Sequence, residues 1–267
     1  DPGRPRLMRL LAITPIVVDD AELARRQARY DALAPAGVTV VLEHLDPGSS
    51  GSSGGGPTGE PDDRTPRLPR ALDTADDVRA SERALHARYA AVDPTGWDAY
   101  LPDCVLDPLA GLAEAAGGGA EGEGLAGLAR PVLGLGRLTA AFVAGQGARL
   151  GAVARNAPIA AELDRRLGQY AAATVAPTAV LDLSVDDIAD DATWAAAVER
   201  AVEDLDCDFV LNACSAVDVA EQARAPYVLD PTATALALLG LRARVTGRLD
   251  DPGPAANAGT AATGATR

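Results

Sequence analysis

The sequence of 267 residues contains no lysine, and all 24 of its basic residues are arginines. A pyridoxal-phosphate enzyme needs a lysine for its Schiff base, and a Walker-type phosphate-binding loop needs one to reach the phosphates. The absence of lysine therefore excludes both chemistries. Aromatic residues are scarce as well, at 3% of the chain, so the core must consist mostly of small aliphatic side chains.

Positive charge is in short supply overall, because the formal net charge is −14 at pH 7. Nucleic acids and anionic membrane surfaces favour an excess of basic residues, so neither is expected as a partner. The longest uncharged runs, such as residues 167–181 with Pro177 inside, are too short and too interrupted to span a bilayer. No secretory signal is recognisable, and three cysteines, an odd number, fit a reducing compartment. We therefore expect a cytoplasmic protein.

Metal-ligand patterns are also missing from the sequence. The two histidines, His44 and His86, stand in no metal-ligand spacing, so we expect no metal. No histidine stands beside a cysteine, which argues against a papain-like protease. Gly134 and Gly136 follow a predicted strand, but the third glycine of a dinucleotide-binding loop is absent from its register.

What the sequence does contain is a repeat. Residues 9–30 and 149–170 match at nine of 22 positions without a gap. Further along, residues 98–104 and 208–214 each begin with an aspartate and end, six positions later, with a cysteine. We interpret the chain as a duplicated α/β half. Pairing of the halves about a pseudo-twofold axis would place two thiols opposite each other.

Alternating strand and helix patterns predict an α/β fold with two pseudo-symmetric lobes, each built on a parallel sheet, and an active site in the cleft between them. Residues 1–136 plus 232–245 are assigned to the first lobe and residues 137–231 to the second. The Gly/Ser/Pro-rich stretch 46–69 predicts a flexible loop, and the stretch 246–267 a disordered tail.

The predicted elements follow the same order in both halves. Strands are expected at residues 7–14, 38–45, 98–103, 131–135, 150–154, 179–183, 208–213 and 227–230. Helices are expected at residues 19–33, 75–91 and 192–205. Three further helices are predicted by one end only: one begins at residue 108, one ends near residue 170, and the last ends near residue 245.

The two repeated cysteines are expected to lie near helix N-termini. Cys104 is followed by Asp107 and Pro108, a typical helix opening in which the aspartate caps and the proline takes the first position. Cys214 is followed by Ser215, another residue type that caps helices. The partial positive charge of a helix N-terminus would lower a thiol pKa from its ordinary value of about 8.5. Backbone N–H groups there would hold a carboxylate or an enolate oxygen.

The third cysteine, Cys207, stands near a helix end and has no counterpart in the first half, so we assign it a structural role.

Segments around both repeated cysteines resemble those of a known family. Residues 104–110 (CVLDPLA) are similar to the Cys-Phe-Gly-Asp-Pro-Gly-Leu of hydantoin racemases, and residues 212–217 (NACSAV) stand where that family has Leu-Gly-Cys-Ala-Gly-Met. The strands at 131–136 and 227–231 are similar to its Pro-Val-Val-Gly-Ile and Val-Ile-Asp. From about residue 7 to residue 245, without the loop, the chain resembles the Asp/Glu/hydantoin racemase superfamily.

That resemblance implies a cofactor-independent racemase or epimerase with Cys104 and Cys214 as its catalytic pair. One thiolate removes the proton α to a carbonyl and the other thiol protonates the opposite face, with the roles set by the bound enantiomer. Family decarboxylases typically need one thiol, so retention of both favours racemisation or isomerisation. The resemblance also implies that the last helix of each half crosses to the other lobe, and it admits a homo-oligomer.

Several positions depart from the family pattern. Thr14-Pro15-Ile16 replaces Asn-Pro-Asn, hydrophobic residues follow the first cysteine where asparagine and threonine are common, and arginines occupy positions 137 and 155. The positions implied to contact substrate are Thr14, Ile16, Val105, Leu106, Arg155, Asn156 and Ser215. Because the departures make the mouth of the site less polar than the family pattern, they favour a small-molecule carbon acid that is bulkier or more apolar than a simple amino acid, although an amino acid or a hydantoin stays open.

Two other interpretations remain open at this stage. A maleate-type cis–trans isomerase, or a related cysteine-dependent decarboxylase, would use one thiolate in a different way. A non-catalytic binding protein on a degenerate racemase fold would explain why polar residues near the thiols are missing.

Overall fold

The computed structural model describes residues 7–45, 68–110, 127–170, 172–175, 177–184, 187, 190–219 and 225–249. In this part of the chain the strands are β1 (Met8–Ile13), β2 (Val38–Glu43), β3 (Ala99–Pro102), β4 (Arg149–Ala154), β5 (Ala173–Thr174), β6 (Ala179–Val180), β7 (Phe209–Asn212) and β8 (Tyr227–Leu229). The helices are α1 (Asp20–Leu33), α2 (Ala75–Ala90), α3 (Leu135–Gly145), α4 (Ala157–Leu167), α5 (Asp191–Val202) and α6 (Pro231–Leu249). None of these helices has the length and apolar character that a membrane span requires.

The strands form two parallel sheets with the same order. The first runs β2-β1-β3, and Val132 adds a parallel bridge to Tyr100 on the outer side of β3. The second runs β5-β4-β7-β8, and β6 pairs with the C-terminal end of β4, whereas β5 pairs with its N-terminal end. The prediction of an α/β fold with two parallel sheets is confirmed.

The central strand of each sheet is a continuous apolar run. Leu10, Leu11 and Ile13 of β1 are buried whichever face of the sheet they point to, and Leu150 and Val153 of β4 are equally inaccessible. Such runs are typical of parallel strands covered by helices on both sides. The sequence pattern therefore places β1 and β4 at the centres of their layers.

The repeated aspartates pin the strands that lead to the two cysteines. Asp98 Oδ2 accepts a hydrogen bond from the backbone N–H of Arg9 at 2.8 Å, and Asp208 Oδ2 accepts one from that of Arg149, also at 2.8 Å. Each aspartate thereby ties the start of its own strand, β3 or β7, to the start of the central strand. The register of both thiol-bearing strands is fixed by the same contact.

The last helices of the two halves pack across the molecule. Helix α6 follows β8 of the second sheet, yet its Leu236 and Leu239 are buried with Leu10 and Val40 of the first. Helix α3 follows the bridge at Val132, yet it packs against β4, β7 and α4 of the second sheet. The two helices also contact each other. Neither sheet therefore completes its apolar layer with its own half alone.

Some sequence predictions were wrong in detail. No α-helix begins at Pro108 within the described residues, because residues 105–110 form turns in which Asp107 (φ 51) and Leu109 (φ 66) adopt left-handed conformations. The expected strand at 131–135 is reduced to the single bridge at Val132, and the chain turns directly into α3, which the sequence did not predict.

Other predictions lie partly outside the described residues. This applies to most of the loop at 46–69, to the chain from 111 to 126, and to the tail from residue 250. The tail was predicted to start at residue 246, whereas α6 continues to Leu249.

Candidate active site

A cavity of about 100 Å³ lies where four parallel strands of the two sheets end. Its walls come from the segments that follow β1, β3, β4 and β7 and from a short segment before α2. They include Pro15, Ile16, Arg26, Ala71, Leu72, Asp103, Cys104, Val105, Leu106, Arg155, Ile159, Ala213, Cys214, Ser215 and Ala216. Ligands of parallel α/β proteins bind outside the carboxyl ends of the strands, where loops and not helices face the sheet edge. The cavity occupies this position for both sheets at once.

The structure brings most of the sequence-predicted site residues together. Those that line the cavity are Cys104, Cys214, Ile16, Val105, Leu106, Arg155 and Ser215. Two others do not line it. Thr14 is fully buried and its hydroxyl donates to the Ile16 carbonyl at 2.9 Å. Asn156 caps α4, accepting from the Ile159 N–H at 2.9 Å and donating to the Leu72 carbonyl at 3.1 Å.

The Cys104 thiol is a weak acid in this setting. Its pKa is raised to about 12, chiefly by burial and further by the nearby carboxylates of Asp103 and Asp107, while a hydrogen bond from the Leu106 backbone N–H opposes the rise. The sequence had predicted a lowered pKa at a helix N-terminus. That prediction was wrong because turns, and not a helix, follow the cysteine at residues 105–110.

The Cys214 thiol repeats this arrangement. Burial raises its pKa, and the backbone N–H of Ala216, two positions on, opposes the rise. Ser215, predicted as a helix cap, instead donates its hydroxyl hydrogen to the Asp103 carbonyl at 3.2 Å. Because Asp103 immediately precedes Cys104, this hydrogen bond joins the two thiol-bearing segments directly.

Asp107 caps a helix other than the one that the sequence predicted. Its buried carboxylate accepts hydrogen bonds from the backbone N–H groups of Gly136 at 2.8 Å and Arg137 at 2.6 Å, at the start of α3. The hydroxyl of Tyr170 donates to the same carboxylate at 2.6 Å. Burial raises the pKa of Asp107 to about 6, and these hydrogen bonds counteract part of the rise.

The two glycines of segment 134–136 make this close approach possible. A Cβ atom on Gly134 would lie 2.5 Å from Cγ of Asp107, and one on Gly136 would lie 2.5 Å from the Val105 carbonyl oxygen. Their role is thus to admit the carboxylate and the thiol-bearing turn to the N-terminus of α3.

Sequence reasoning missed Arg26, which lines the cavity beside both cysteines. Its Nε donates to Glu22 at 2.6 Å and its Nη1 to Asp103 at 2.9 Å, while Tyr30 donates its hydroxyl hydrogen to Asp103 at 2.9 Å. Burial lowers the pKa of Arg26, but its ion pairs with Asp103 and Glu22 outweigh that effect and leave the pKa raised. The repeat offered a signal, since Arg26 and Tyr30 recur as Arg166 and Tyr170 in the second copy.

A short segment before α2 forms part of the cavity wall, and Arg155 holds it there. The Nη2 atom of Arg155 donates to Asp73 Oδ1 at 2.5 Å and to the Leu72 carbonyl at 3.4 Å. Leu72 and Ala71 both face the cavity. Arg155 therefore lines the cavity, and its charge is matched by the Asp73 carboxylate.

Among the described residues, no group of three or more His, Cys, Asp or Glu side chains converges in a way that could hold a metal ion.

Comparisons with known proteins identify the fold. Neither a protein-family model nor a curated protein matches the sequence. Solved structures do match. An allantoin racemase from Pseudomonas fluorescens superposes with a TM-score of 0.63 at 17% identity, covering 91% of this chain and 92% of that one.

Two further structures agree with this match. An allantoin racemase from Klebsiella pneumoniae gives a TM-score of 0.59 at 17% identity, over 95% of this chain and 97% of that one. An aspartate racemase from Picrophilus torridus gives 0.54 at 14% identity, over 92% and 99%.

Fold and site together define an α/β protein with two parallel sheets and a cavity at their carboxyl ends. More specifically, the chain has the same fold as these allantoin and aspartate racemases, in agreement with the fold that the resemblance of its cysteine segments implied. At these sequence identities the likeness defines the fold, and the reaction has to be argued from the site itself.

Proposed function

We propose that the protein is a cofactor-independent racemase or epimerase in which Cys104 and Cys214 exchange protons with opposite faces of one carbon. The observation that carries this proposal is that both thiols line one cavity, each from the segment that follows a corresponding strand, β3 or β7. A pair of like acid–base groups suits a reaction whose forward and reverse directions are mirror images. The racemases that share the fold support the same class of reaction.

The reaction needs one thiolate and one thiol. The thiolate takes the proton from the carbon α to a carbonyl, and the electron pair left on that carbon delocalises into the carbonyl to give an enolate. The other thiol then donates its proton to the opposite face and becomes the thiolate. Arg26, which lines the cavity, would offset the negative charge that develops on the enolate oxygen.

Burial keeps both thiols protonated at neutral pH, so the thiolate that must act as the base is scarce. Because it raises the pKa of Cys104 to about 12 and also raises that of Cys214, both are largely protonated at neutral pH. A thiolate formed in this cavity is a stronger base than one with an ordinary pKa, which favours removal of a weakly acidic carbon-bound proton. The proposal therefore implies a slow enzyme at neutral pH that speeds up in alkali.

The volume and lining of the cavity indicate the size and polarity of the substrate. Its volume of about 100 Å³ is somewhat below the roughly 150 Å³ of an engineered cavity that accepts benzene. Hydrophobic side chains such as Ile16, Leu72, Val105 and Leu106 form much of its wall. This favours a compact, weakly polar carbon acid over the bulkier one that the sequence suggested.

Deuterium exchange tests the proposal. Each enantiomer of allantoin, of 5-substituted hydantoins and of aspartate would be incubated with the protein in D2O, and both α-deuteration and optical rotation followed. We expect deuterium to enter the α position of at least one compound as it racemises. Cys104→Ala and Cys214→Ala should each abolish racemisation yet retain exchange of one enantiomer, opposite in the two variants.

Cys207→Ala is the matched control, because that thiol does not line the cavity, and it should keep full activity. Full racemase activity in both single variants at the catalytic positions would contradict the proposal. A covalent cysteine adduct with maleate, formed without any α-proton exchange, would favour the isomerase alternative.

A non-catalytic binding protein is a second candidate, and one observation favours it. Neither thiol is activated by its protein surroundings, since burial raises both pKa values. This candidate predicts that no carbon acid exchanges its α-proton. Slow modification by iodoacetamide at neutral pH is expected of both candidates, because both thiols have raised pKa values.

A further inference from the structure

We propose that each thiol is positioned by an arginine from the opposite half of the chain: Arg29 positions Cys214, and Arg166 positions Cys104. The inference rests on the proposed function, in which both thiols transfer protons. Arg29 lies on α1 beside the first sheet, whereas Cys214 follows β7 of the second sheet. Arg166 lies at the end of α4 beside the second sheet, whereas Cys104 follows β3 of the first.

Arg29 makes several hydrogen bonds to the turn that begins at Cys214. Its Nε donates to the Ser215 carbonyl at 3.2 Å and its Nη2 to the Val217 carbonyl at 3.0 Å, and Nη1 pairs with the Asp218 carboxylate. Every guanidinium nitrogen thus has an acceptor in Ser215, Val217 or Asp218, which lie on either side of Ala216. The N–H of Ala216 bonds to the thiol. The side chain is only 10% exposed, so water competes little for these contacts.

Arg29 also ties this turn to helix α6. Its Nη2 donates to Asp230 Oδ2 at 2.5 Å, and the other oxygen of Asp230 accepts from the backbone N–H groups of Thr232 at 2.9 Å and Ala233 at 3.1 Å, at the start of α6. Since α6 packs on the first sheet, Arg29 connects the thiol-bearing turn of one half to the framework of the other.

Arg166 contacts the turn after Cys104 in the corresponding way, but with fewer hydrogen bonds. Its Nη1 donates to the Asp107 carbonyl at 2.9 Å, at the residue whose own N–H closes a turn on the Cys104 carbonyl at 3.2 Å. Its Nε donates to Glu162 at 2.6 Å and its Nη2 pairs with Glu82 of α2. The guanidinium is thereby held between two carboxylates while it reaches the turn.

The two arginines are not repeat partners. In the gapless alignment Arg29 corresponds to Gln169, and Arg166 corresponds to Arg26, which instead pairs with Asp103. The two thiol-bearing turns are therefore held by arginines at different positions of the repeat, so the repeat alone does not reveal these positioning roles. It also means that the two thiols can be perturbed one at a time.

Lysine is the informative substitution. It keeps the charge, but its single ammonium group cannot reproduce the planar fork of a guanidinium that reaches several acceptors at once. A displacement of about 1 Å of a reacting group can cost roughly a hundredfold in rate. We therefore expect Arg29→Lys to slow proton transfer by Cys214 about tenfold to a hundredfold and to leave Cys104 within about twofold.

The exchange assay separates the two thiols. In a Cys104→Ala background only Cys214 exchanges the α-proton, so Arg29→Lys should slow that exchange and Arg166→Lys should not. In a Cys214→Ala background the pattern should reverse. Arg165→Lys is the matched control on α4, because Arg165 pairs with Glu162 at 2.6 Å and makes no described contact with either thiol-bearing turn.

Thiol alkylation gives a readout that does not depend on catalysis. The iodoacetamide reaction of each cysteine would be followed against pH by peptide mass spectrometry in the otherwise unmodified chain. Arg29→Lys should shift the profile of Cys214 alone and Arg166→Lys that of Cys104 alone. If no carbon acid exchanges in any variant, the proposed function fails, while these profiles still decide the positioning roles.

Equal effects of one arginine variant on both thiols, accompanied by a lower melting temperature, would show a general structural role and overturn the inference. Unchanged profiles in both variants would overturn it as well. Should Arg29→Lys fail to fold, Asp218→Asn, at an exposed carboxylate that pairs with Arg29, provides a milder variant. It should shift the Cys214 profile in the same direction by a smaller amount.

Discussion

At the scale of single residues, the two thiols share one chemical setting built from different parts. Each sulfur lies in the cavity with one backbone N–H from two positions further along the chain, from Leu106 or from Ala216. In both, burial outweighs that hydrogen bond and raises the pKa. The charges that act on the two thiols differ. The positive charge of Arg26 lowers the pKa of Cys214, whereas the carboxylates of Asp103 and Asp107 raise the pKa of Cys104.

A pH-rate profile follows from the raised pKa values. Below its pKa the thiolate fraction of a cysteine increases about tenfold per pH unit, and in each direction of racemisation one thiolate must act as base. Because the pKa of Cys104 is raised to about 12 and that of Cys214 is also raised, neither fraction levels off near neutrality. We expect kcat/KM to rise roughly tenfold per unit between about pH 7 and pH 9.

Polarimetry at constant ionic strength would measure this profile, with the uncatalysed racemisation at each pH subtracted. The Cys207→Ala variant should give the same curve. A bell-shaped profile with its maximum below about pH 8 would mean that substrate binding, or another group, lowers the pKa of the catalytic base.

At the scale of elements, helix α3 illustrates why local sequence patterns were insufficient. Its N-cap residue, Gly134, provides no side-chain cap, so nothing in the neighbouring sequence marks its beginning. The cap is Asp107, which comes from the turn after Cys104. The Asp-Pro pair at 107–108 was therefore correctly identified as carrying a helix cap, but the wrong helix was inferred. Long-range capping leaves no periodic signal.

Elements with local signals were predicted well. Helix α2 carries its own capping box, in which Thr74 accepts from the Asp77 N–H and the Asp77 side chain bonds back to Thr74, and its observed bounds of Ala75–Ala90 nearly match the prediction. The apolar runs of β1 and β4 likewise gave their strands within a residue or two. What these elements share is that the residues deciding their ends lie inside or next to them.

A glycine substitution tests the interface between Asp107 and α3. In Gly134→Ala the new Cβ would lie 2.5 Å from Cγ of Asp107, so the carboxylate must move away from the helix N-terminus. We expect a loss of about 1–3 kcal/mol in the free energy of unfolding, measured by urea denaturation, as is typical of overpacking a buried site.

Gly145→Ala is the control at the other end of the same helix, where a Cβ would meet nothing within 4 Å. Alanine there should leave stability unchanged or increase it by up to about 1 kcal/mol, because it favours the helix over the unfolded chain. Equal stability of the two variants would contradict the tight contact described at Gly134.

At the scale of the whole molecule, the sequence predicted the fold and, through the family resemblance, the crossing of the last helix of each half, but not all the residues that meet at the cavity. The cysteines were found because each ends a strand at the same position of its repeat. Arg26, Leu72 and Asp103 line the same cavity, yet they come from a helix, an irregular segment and a strand end whose meeting depends on the tertiary fold. Spacing along the chain carries no information about such a meeting point.

The crossing helices predict how the molecule unfolds. Helix α6 is connected to β8 of the second sheet, yet its fully buried Leu236 packs with the first, and α3 crosses in the other direction and contacts α6. Leu236→Ala should therefore cost about 2–5 kcal/mol of unfolding free energy and weaken both sheets together, not the first sheet alone. Leu241→Ala on the same helix, at a side chain that is 50% exposed, should change stability by less than about 0.5 kcal/mol.

Native-state hydrogen exchange would compare the amides of β1 and β7. A parallel fall in protection of both strands in Leu236→Ala is the expected result, since each sheet relies on a helix from the other half. Loss of protection in β1 with β7 unchanged would instead show that the two sheets open independently, and the crossing helices would then be dispensable to their cooperation.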